Sequence, residues 1–304
     1  MVPPSETGRY ATDQAIRLLE RLAFEMAATR RSHNPEAVHD LRVAIRRFAQ
    51  ALVVFKSCFG RKELKKMRRD LKDLMAAAGK VRDCDVALKF ISGLRTEDVH
   101  GLETEVVGRR NAAEGALQAE VSRGLARKWS SKWRLMLEAD HAGSETGHQG
   151  IEQLAASELP RMARSFFRSG DRAASAKASN EEVHRFRIAA KKFRYSVELF
   201  AQLYGSSADR WLERIARVQA LLGAANDCRA VKAMVSQIGG YRRFEAALER
   251  RQRRKMAKFR QLWLDEFAQP TTVRQWLRDL RLPPRKPATG TRPPVLAARS
   301  AAGT

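Results

Sequence analysis

The chain has 304 residues and carries 58 Lys and Arg against 34 Asp and Glu, a formal net charge of +24. A chain of this length buries roughly 75% of its unfolded surface, so a real core is available, and its charge limits the partner class to nucleic acid, an anionic membrane or a free polyanion. Cysteines at 58, 84 and 228, without metal-like clustering, argue against a disulfide framework. The start has no signal-like apolar segment and no apolar run approaches about 18 residues, which leads to the expectation of a cytoplasmic protein without membrane insertion.

Residues 1–7 read as an N-terminal extension. From Gly8 to Arg31, Ala15, Leu18, Leu19, Leu22 and Met26 recur at helical spacing and predict a first amphipathic helix. Asn34, Pro35 and Glu36 then supply a cap, a first-turn proline and a first-turn acid for a second helix, predicted to run to about Phe59 and stop at Gly60. A third helix from Arg61 carries Leu64, Met67, Leu71, Leu74, Ala78, Val81 and Leu88 to near Gly93; Gly79 inside it marks close packing or a kink. A fourth helical region spans Glu97 to Glu138, with Trp129 and Trp133 one turn apart. Asp140 to Gly150 is polar and glycine-rich and reads as a linker between a first helical bundle over 8–139 and a second over 151–268. The second bundle is predicted to hold helices at Ile151–Ser169, after the cap signal Ser179-Asn180-Glu181-Glu182, at Ser207–Ile238 and at Tyr241–Phe267. Residues 269–304 read as a short helix, Thr271 to Arg281, and a basic, proline-rich tail expected to be disordered. Nothing alternates with period two over a useful length, so the fold class is all-α.

One stretch occurs twice. Val38–Gly60 and Val183–Gly205 align without a gap, matching at His39/His184, Arg42/Arg187, Ala44/Ala189, Phe48/Phe193, Phe55/Phe200 and Gly60/Gly205. Cations pair too, at Arg46/Lys191 and Arg47/Lys192. With a shift of one residue, Gly79–Cys84 lies against Gly223–Cys228, so the duplication covers two helices.

At 100° per residue, Leu41, Ile45, Phe48, Leu52 and Phe55 form one apolar stripe. His39, Arg42 and Arg46 form a second stripe beside it, as do His184, Arg187, Lys191 and Arg194 in the other copy. A solvated charged face normally lies opposite the apolar stripe and mixes signs. This row adjoins the core and is unmixed, which costs repulsion unless an anion occupies it. Arg68 and Arg82 lie beside the apolar stripe of the third helix. Arg offers bidentate hydrogen bonds to phosphate, Lys a point charge, and His a donor. The two copies thus describe a pseudo-twofold cationic surface for a polyanion. The competing structural explanation is that these side chains snorkel over the core edge and pair with Asp83 and Asp227.

The pattern His39-x-x-Arg42-x-x-x-Arg46-Arg47, its copy His184-x-x-Arg187-x-x-x-Lys191-Lys192-x-Arg194-Tyr195, and the turn Gly79-x-x-Arg82-Asp83 together resemble the CHAD domain, the conserved histidine α-helical domain. The resemblance covers about residues 8 to 268. It implies two pseudo-twofold-related antiparallel helical bundles forming a central basic pore, binding of inorganic polyphosphate, and attachment to polyphosphate granules. Carried onto this chain, the phosphate ligands are His39, Arg42, Arg46, Arg47, Arg68, Arg82, His184, Arg187, Lys191, Lys192 and Arg194. Two departures stand out: Ala49 faces Arg194, and Asn226 faces Arg82. The E-x-E-x-K motif of the triphosphate-tunnel domain often joined to CHAD domains is absent, so a stand-alone, non-catalytic binding protein without a cofactor is expected.

Three other readings exist: metal catalysis, nucleic-acid binding, and a purely structural interaction scaffold, which predicts that the pore charges can be replaced without loss of localisation. Glu36-x-x-His39 and Glu181-x-x-His184 have a spacing used in di-iron bundles, but capping explains the glutamates and the adjacent cations repel a metal. Asp83-x-Asp85 becomes Asp227-x-Arg229 in the copy, which favours ion pairing over a metal, and Cys84 and Cys228 are most simply small buried side chains. Nucleic acid is the alternative partner. The run Arg250–Lys255 and the tail are basic enough to touch a phosphate backbone, although no zinc finger, RNP-like motif or recognition helix is present.

Overall fold

The computed structural model describes residues 6–93, 100–139 and 150–281. The expected linker at 140–150, apart from Gly150, and the tail from residue 282 lie outside the described residues. Among the described residues the chain forms α-helices and no strand: α1 (Glu6–Arg31), α2 (Pro35–Val54), α3 (Arg61–Ile91), α4 (His100–Ala126), α5 (Trp129–Ala139), α6 (Ile151–Ala174), α7 (Asn180–Leu199), α8 (Ala201–Tyr204), α9 (Ser206–Ile238), α10 (Arg242–Glu266) and α11 (Pro270–Asp279).

Local chemistry sets the helix starts. The Asn34 side chain accepts from the Glu36 amide at 2.9 Å, and Pro35 occupies the first turn of α2. At α7 a full capping box forms: the Ser179 hydroxyl accepts from the Glu182 amide and the Glu182 carboxylate accepts from the Ser179 amide. Both glutamate-containing first turns therefore have the capping chemistry expected of them.

Several boundaries differ from the sequence expectation: α6 runs to Ala174 instead of Ser169, and two further differences have a tertiary cause. The second helix ends at Val54, followed by a 3-10 turn at Lys56–Cys58. Phe55 sits at that end with its ring buried against Tyr10 and Phe200, and this anchoring stops the helix before Gly60. The fourth helical region is two helices, broken at Lys128, whose φ is 53°. The break lets Trp129 stack on Trp133 and Trp133 on Phe48, with centroids 4.9 and 5.9 Å apart. Burial of two indoles outweighs the cost of a left-handed lysine, a preference no local pattern reveals.

The expected apolar stripe is the core. Leu41, Ile45, Phe48, Leu52 and Phe55 are all buried. They belong to one apolar cluster that runs through both halves of the chain and includes Phe186, Phe193 and Phe200 from the second copy. In the first half α2 packs between α1 and α3, and α3 against α4; in the second, α7 packs against α6 and α9, and α9 against α10. The halves meet where α2 touches α7 and α3 touches α9, so duplicated helices contact one another. Phe55 and Phe200, equivalent positions, meet edge-on at 5.8 Å. Beside them Gln50 donates to the Ser196 hydroxyl at 2.9 Å in a buried contact. Cys84 and Cys228 are free and buried, as expected of small core side chains.

The short helix α11 is part of this core. Trp276 is buried against Phe167, Phe193, Trp211 and Phe267. Nearby, Gly170 of α6 lies under Trp263, where an added Cβ would stand 2.0 Å from the indole. Gly223 of α9 has open space around the same position. Gly170→Ala is therefore expected to destabilise the protein by about 1–3 kcal/mol through overpacking. Gly223→Ala is expected to stabilise it by about 1 kcal/mol through helix propensity. Denaturant unfolding midpoints of the two variants check both signs.

Candidate functional site

The cationic rows of α2 and α7 adjoin the buried stripe, so packing α2 on α7 brings them to the seam between the halves. Arg42, Arg46, Arg187 and Lys191 gather there. Arg46 is the neighbouring charge that acts most strongly on each of the other three. Arg42 Nη1 lies against α3 at Gly79, where an added Cβ would stand 3.0 Å away. Helix α3 continues unbroken through Gly79, and the glycine admits this close approach of Arg42.

The surroundings penalise these charges. Burial pushes the Lys191 ammonium down to about 6 from its ordinary 10.5; Arg46, Arg187 and Arg42 add to the effect and Asp227 opposes it. Burial also pushes Arg42 down to about 10, with Arg46, Arg187 and Arg82 adding to the shift. Arg187 is lowered by the same causes, burial first and then Arg46. The His39 imidazole is lowered by burial and by Arg82.

Asp83 of α3 and Asp227 of α9 are the acidic members of the cluster. Desolvation by the surrounding helices raises both carboxyls, while Arg42 acts against this at Asp83 and Arg187 at Asp227. Both aspartates act on Arg187, one from each half. Among the described residues, Arg42, Arg46, Arg187 and Lys191 have no ion pair at hydrogen-bond distance, and Arg187 Nε is buried without a hydrogen-bond partner. The two aspartates act on Arg42 and Arg187 electrostatically, without an ion pair at hydrogen-bond distance among the described residues.

The other sequence-predicted ligands separate into groups. Arg82 joins the cluster, acting on His39 and Arg42 and across the halves on Asp227. Arg47 and Arg194 are brought together by a shared acid: Arg47 Nε donates to one oxygen of Glu198 at 2.8 Å, and Arg194 Nε to the other at 3.0 Å. Arg194 also donates to Gln219, which in turn donates to the Ala190 carbonyl. These two arginines have a partner within the protein and lock α2 to α7 and α9. Lys192 and His184 are exposed. Arg68 is exposed as well, about 21 Å along α3 from Arg82 at 1.5 Å per residue.

Sequence reasoning did not select Arg229, which acts on Arg187 and Asp83 from α9, or Gln219, which holds Arg194. A signal existed for Arg229, because the duplication places it opposite Asp85, a reversal of charge. Asp85 itself is ion-paired, accepting from Arg110 at 2.7 Å. Among the described residues no group of three His, Cys, Asp or Glu is arranged to hold a metal ion. None of their helices is long and apolar enough to cross a membrane.

Comparison with protein families matches the CHAD domain over residues 14–236. The chain belongs to the CHAD domain family. Among solved structures, the CHAD domain from the plant Ricinus communis resembles it with a TM-score of 0.65 at 20% sequence identity, covering 91% of this chain and 93% of that one. PptA from Streptomyces chartreusis resembles it with a TM-score of 0.59 at 13% identity, covering 91% of this chain and 99% of that one. No curated protein sequence matches. At these identities the likeness establishes the all-α CHAD fold, and the residues matched to the family end within α9, short of α10 and α11.

The seam of this CHAD protein has a cost that pH exposes. Lys191 binds its proton more weakly when folded than when unfolded, so the unfolded state holds the extra proton between about pH 6 and 10.5. Stability contributed by this group therefore rises with pH across that window. Lys191→Met is expected to raise the melting temperature most below about pH 6, and the gain is expected to shrink as pH approaches 10, as thermal melts at a series of pH values would register.

Proposed function

We propose that this CHAD protein binds inorganic polyphosphate stoichiometrically, with no bond made or broken, in a basic pore or groove along the seam where α2 and α7 meet. One observation carries the reading. Four basic side chains, contributed by two copies of the same helix, gather without a direct carboxylate partner, and burial holds down the basicity of three of them, Arg42, Arg187 and Lys191. A chain of phosphates supplies the missing countercharge at regular spacing and accepts the charge-assisted hydrogen bonds that guanidinium and ammonium groups offer. Arg42, Arg46, Arg187 and Lys191 are the central ligands, with His39 and Arg82 beside them. Arg47 and Arg194 act through Glu198 as positioning residues, and Lys192, His184 and Arg68 extend the positive field outward. Binding in this mode suits attachment to polyphosphate granules in the cytoplasm.

Nucleic acid remains the rival polyanion because α10 presents an exposed basic face, including Arg250, Arg251, Arg253 and Arg254. That face offers phosphate-backbone contact only, and such contact weakens steeply with salt. A thin, single phosphate chain suits a seam between packed helices better than a base-paired duplex does.

Reversing Arg42, Arg46, Arg187 and Lys191 together to Glu is expected to abolish polyphosphate binding in calorimetry while circular dichroism still reports a helical fold. Retained affinity in that variant, or displacement of long-chain polyphosphate by duplex DNA or RNA at equal phosphate concentration, overturns the assignment. Phosphate contact also restores the proton of Lys191. Binding above about pH 6 is therefore expected to take up protons and to weaken as pH rises, which calorimetry in buffers of different ionisation enthalpy detects.

A further inference from the structure

The second half carries a pocket of about 350 Å³ that the central seam does not account for. That volume lies within the range of small-molecule sites. It opens between the start of α7, the middle of α9 and α10, and its polar wall includes His184, Arg187, Asn226, Arg229, Arg253 and Arg260. Only Arg187 is shared with the four central cations.

Two features mark the pocket as a built anion site. Arg187 Nε and Arg260 Nε are buried and have no hydrogen-bond partner among the described residues. Leaving a buried donor without an acceptor is costly, and more so for a charged group, so an acceptor placed in the pocket relieves it. The internal contacts of the other arginines are few. Arg229 donates to Asn226 Oδ1 at 3.2 Å, and Arg253 pairs at 2.5 Å with Glu249, which Lys232 also claims at 3.0 Å. Asp227 and Asp83 reach Arg187 only over a longer distance.

The duplicated half supplies the control. There α4 packs on α3 as α10 packs on α9, and Asp85 stands where the copy has Arg229. Arg110 of α4 donates to Asp85 and to Glu114, each at 2.7 Å, and to the His33 carbonyl at 2.8 Å. The cation of the first half is thus satisfied by its own acids. In the second half the acid has become an arginine and the facing helix contributes two more.

We propose that this pocket is a second phosphate site, distinct from the seam, for a short run of phosphates with a free end. The ligand is either the terminus of a polyphosphate chain whose body lies in the seam, with Arg187 as the common ligand, or a free compact oligophosphate. The first source rests on the polyphosphate reading of the seam; the second does not. A terminal phosphate, like a phosphomonoester, carries about −1.5 to −2 near pH 7, more than an internal phosphate of the chain, and so suits the denser cluster of arginines.

The test uses the full chain and the double variant Arg229→Asp/Arg253→Glu, whose first change installs the residue of the first half. Arg260→Gln is a second variant. Arg253→Glu alone, at a side chain 77% exposed, keeps the comparison readable if either of the others melts early. Tripolyphosphate affinity is expected to fall about tenfold in the double variant, the loss expected for at least one charge-assisted contact. A fall of less than about threefold in every folded variant overturns the proposal. Long-chain polyphosphate with free ends and with ends capped as phosphoramidates then separates the sources. Capping that weakens binding to the unaltered protein, but not to the double variant, assigns the pocket to chain ends. Capping without effect, alongside the tripolyphosphate loss, assigns it to a free oligophosphate. The seam reading is tested separately by the triple variant Arg42→Glu/Arg46→Glu/Lys191→Glu, which leaves Arg187, Arg229, Arg253 and Arg260 of the pocket unchanged; long-chain polyphosphate affinity retained in full by that variant overturns the seam and leaves the pocket standing.

Discussion

Repulsion among Arg42, Arg46, Arg187 and Lys191, held together by the packing of α2 on α7, is the constraint on which the rest of the structure depends. Close like charges at the effective dielectric of a protein repel by on the order of a few kcal/mol per pair. The depressed basicity of Lys191, Arg42 and Arg187 comes first from burial and then from this repulsion, with Arg46 the leading charge in each case. The opposing force is the apolar stripe that adjoins the cationic row on each helix. Phe48, Phe55, Phe193 and Phe200 are fully buried, and burying a phenylalanine contributes about 1.5–3 kcal/mol. The helices are pressed together by their cores, and the charges have no route apart.

The supporting contacts lie outside the cluster itself. Glu198 divides its two oxygens between Arg47 and Arg194, so one acid ties the two copies of the helix to each other. Gln50 and Ser196 add a buried polar contact at the same seam. Asp83 and Asp227 provide countercharge without a direct bond, which keeps the cations ordered and leaves their donors available. Full internal pairing would fill the donors, and no countercharge at all would leave the repulsion unopposed.

The two halves have the same scaffold and different electrostatics. Arg82 of α3 corresponds to Asn226 of α9, and Asp85 to Arg229, so positive charge is strong at the third helix in one half and one turn further along in the other. Asp85 is consumed by Arg110, whereas Arg229 lines an open pocket. Duplication thus preserved the core and the central cations while the outer positions diverged, which is where a repeat protein acquires distinct surfaces without disturbing its fold.

The all-helical class, the order of helices, the caps at Asn34 and Ser179, and the split of α2 into a core stripe and a cationic stripe were legible in the sequence because they follow from local periodicity and capping chemistry. The four central cations were legible too, since the duplication repeats them beside the core edge. Other features needed the tertiary structure. Nothing local to Lys128 predicts a break there; the demand to bury Trp129 and Trp133 against Phe48 imposes it. Nothing local to Trp276 shows that α11 completes the aromatic core. Arg47 and Arg194 look like ligands in the repeat, yet Glu198 takes both, because an ion pair depends on which helices face each other and not on spacing along one of them. By itself the sequence determined the helices and which of their faces are apolar or basic. The packing of α2 on α7 and of α3 on α9 decided which charges find a partner and which are left without one, because pairing is a property of distances between helices far apart in the chain.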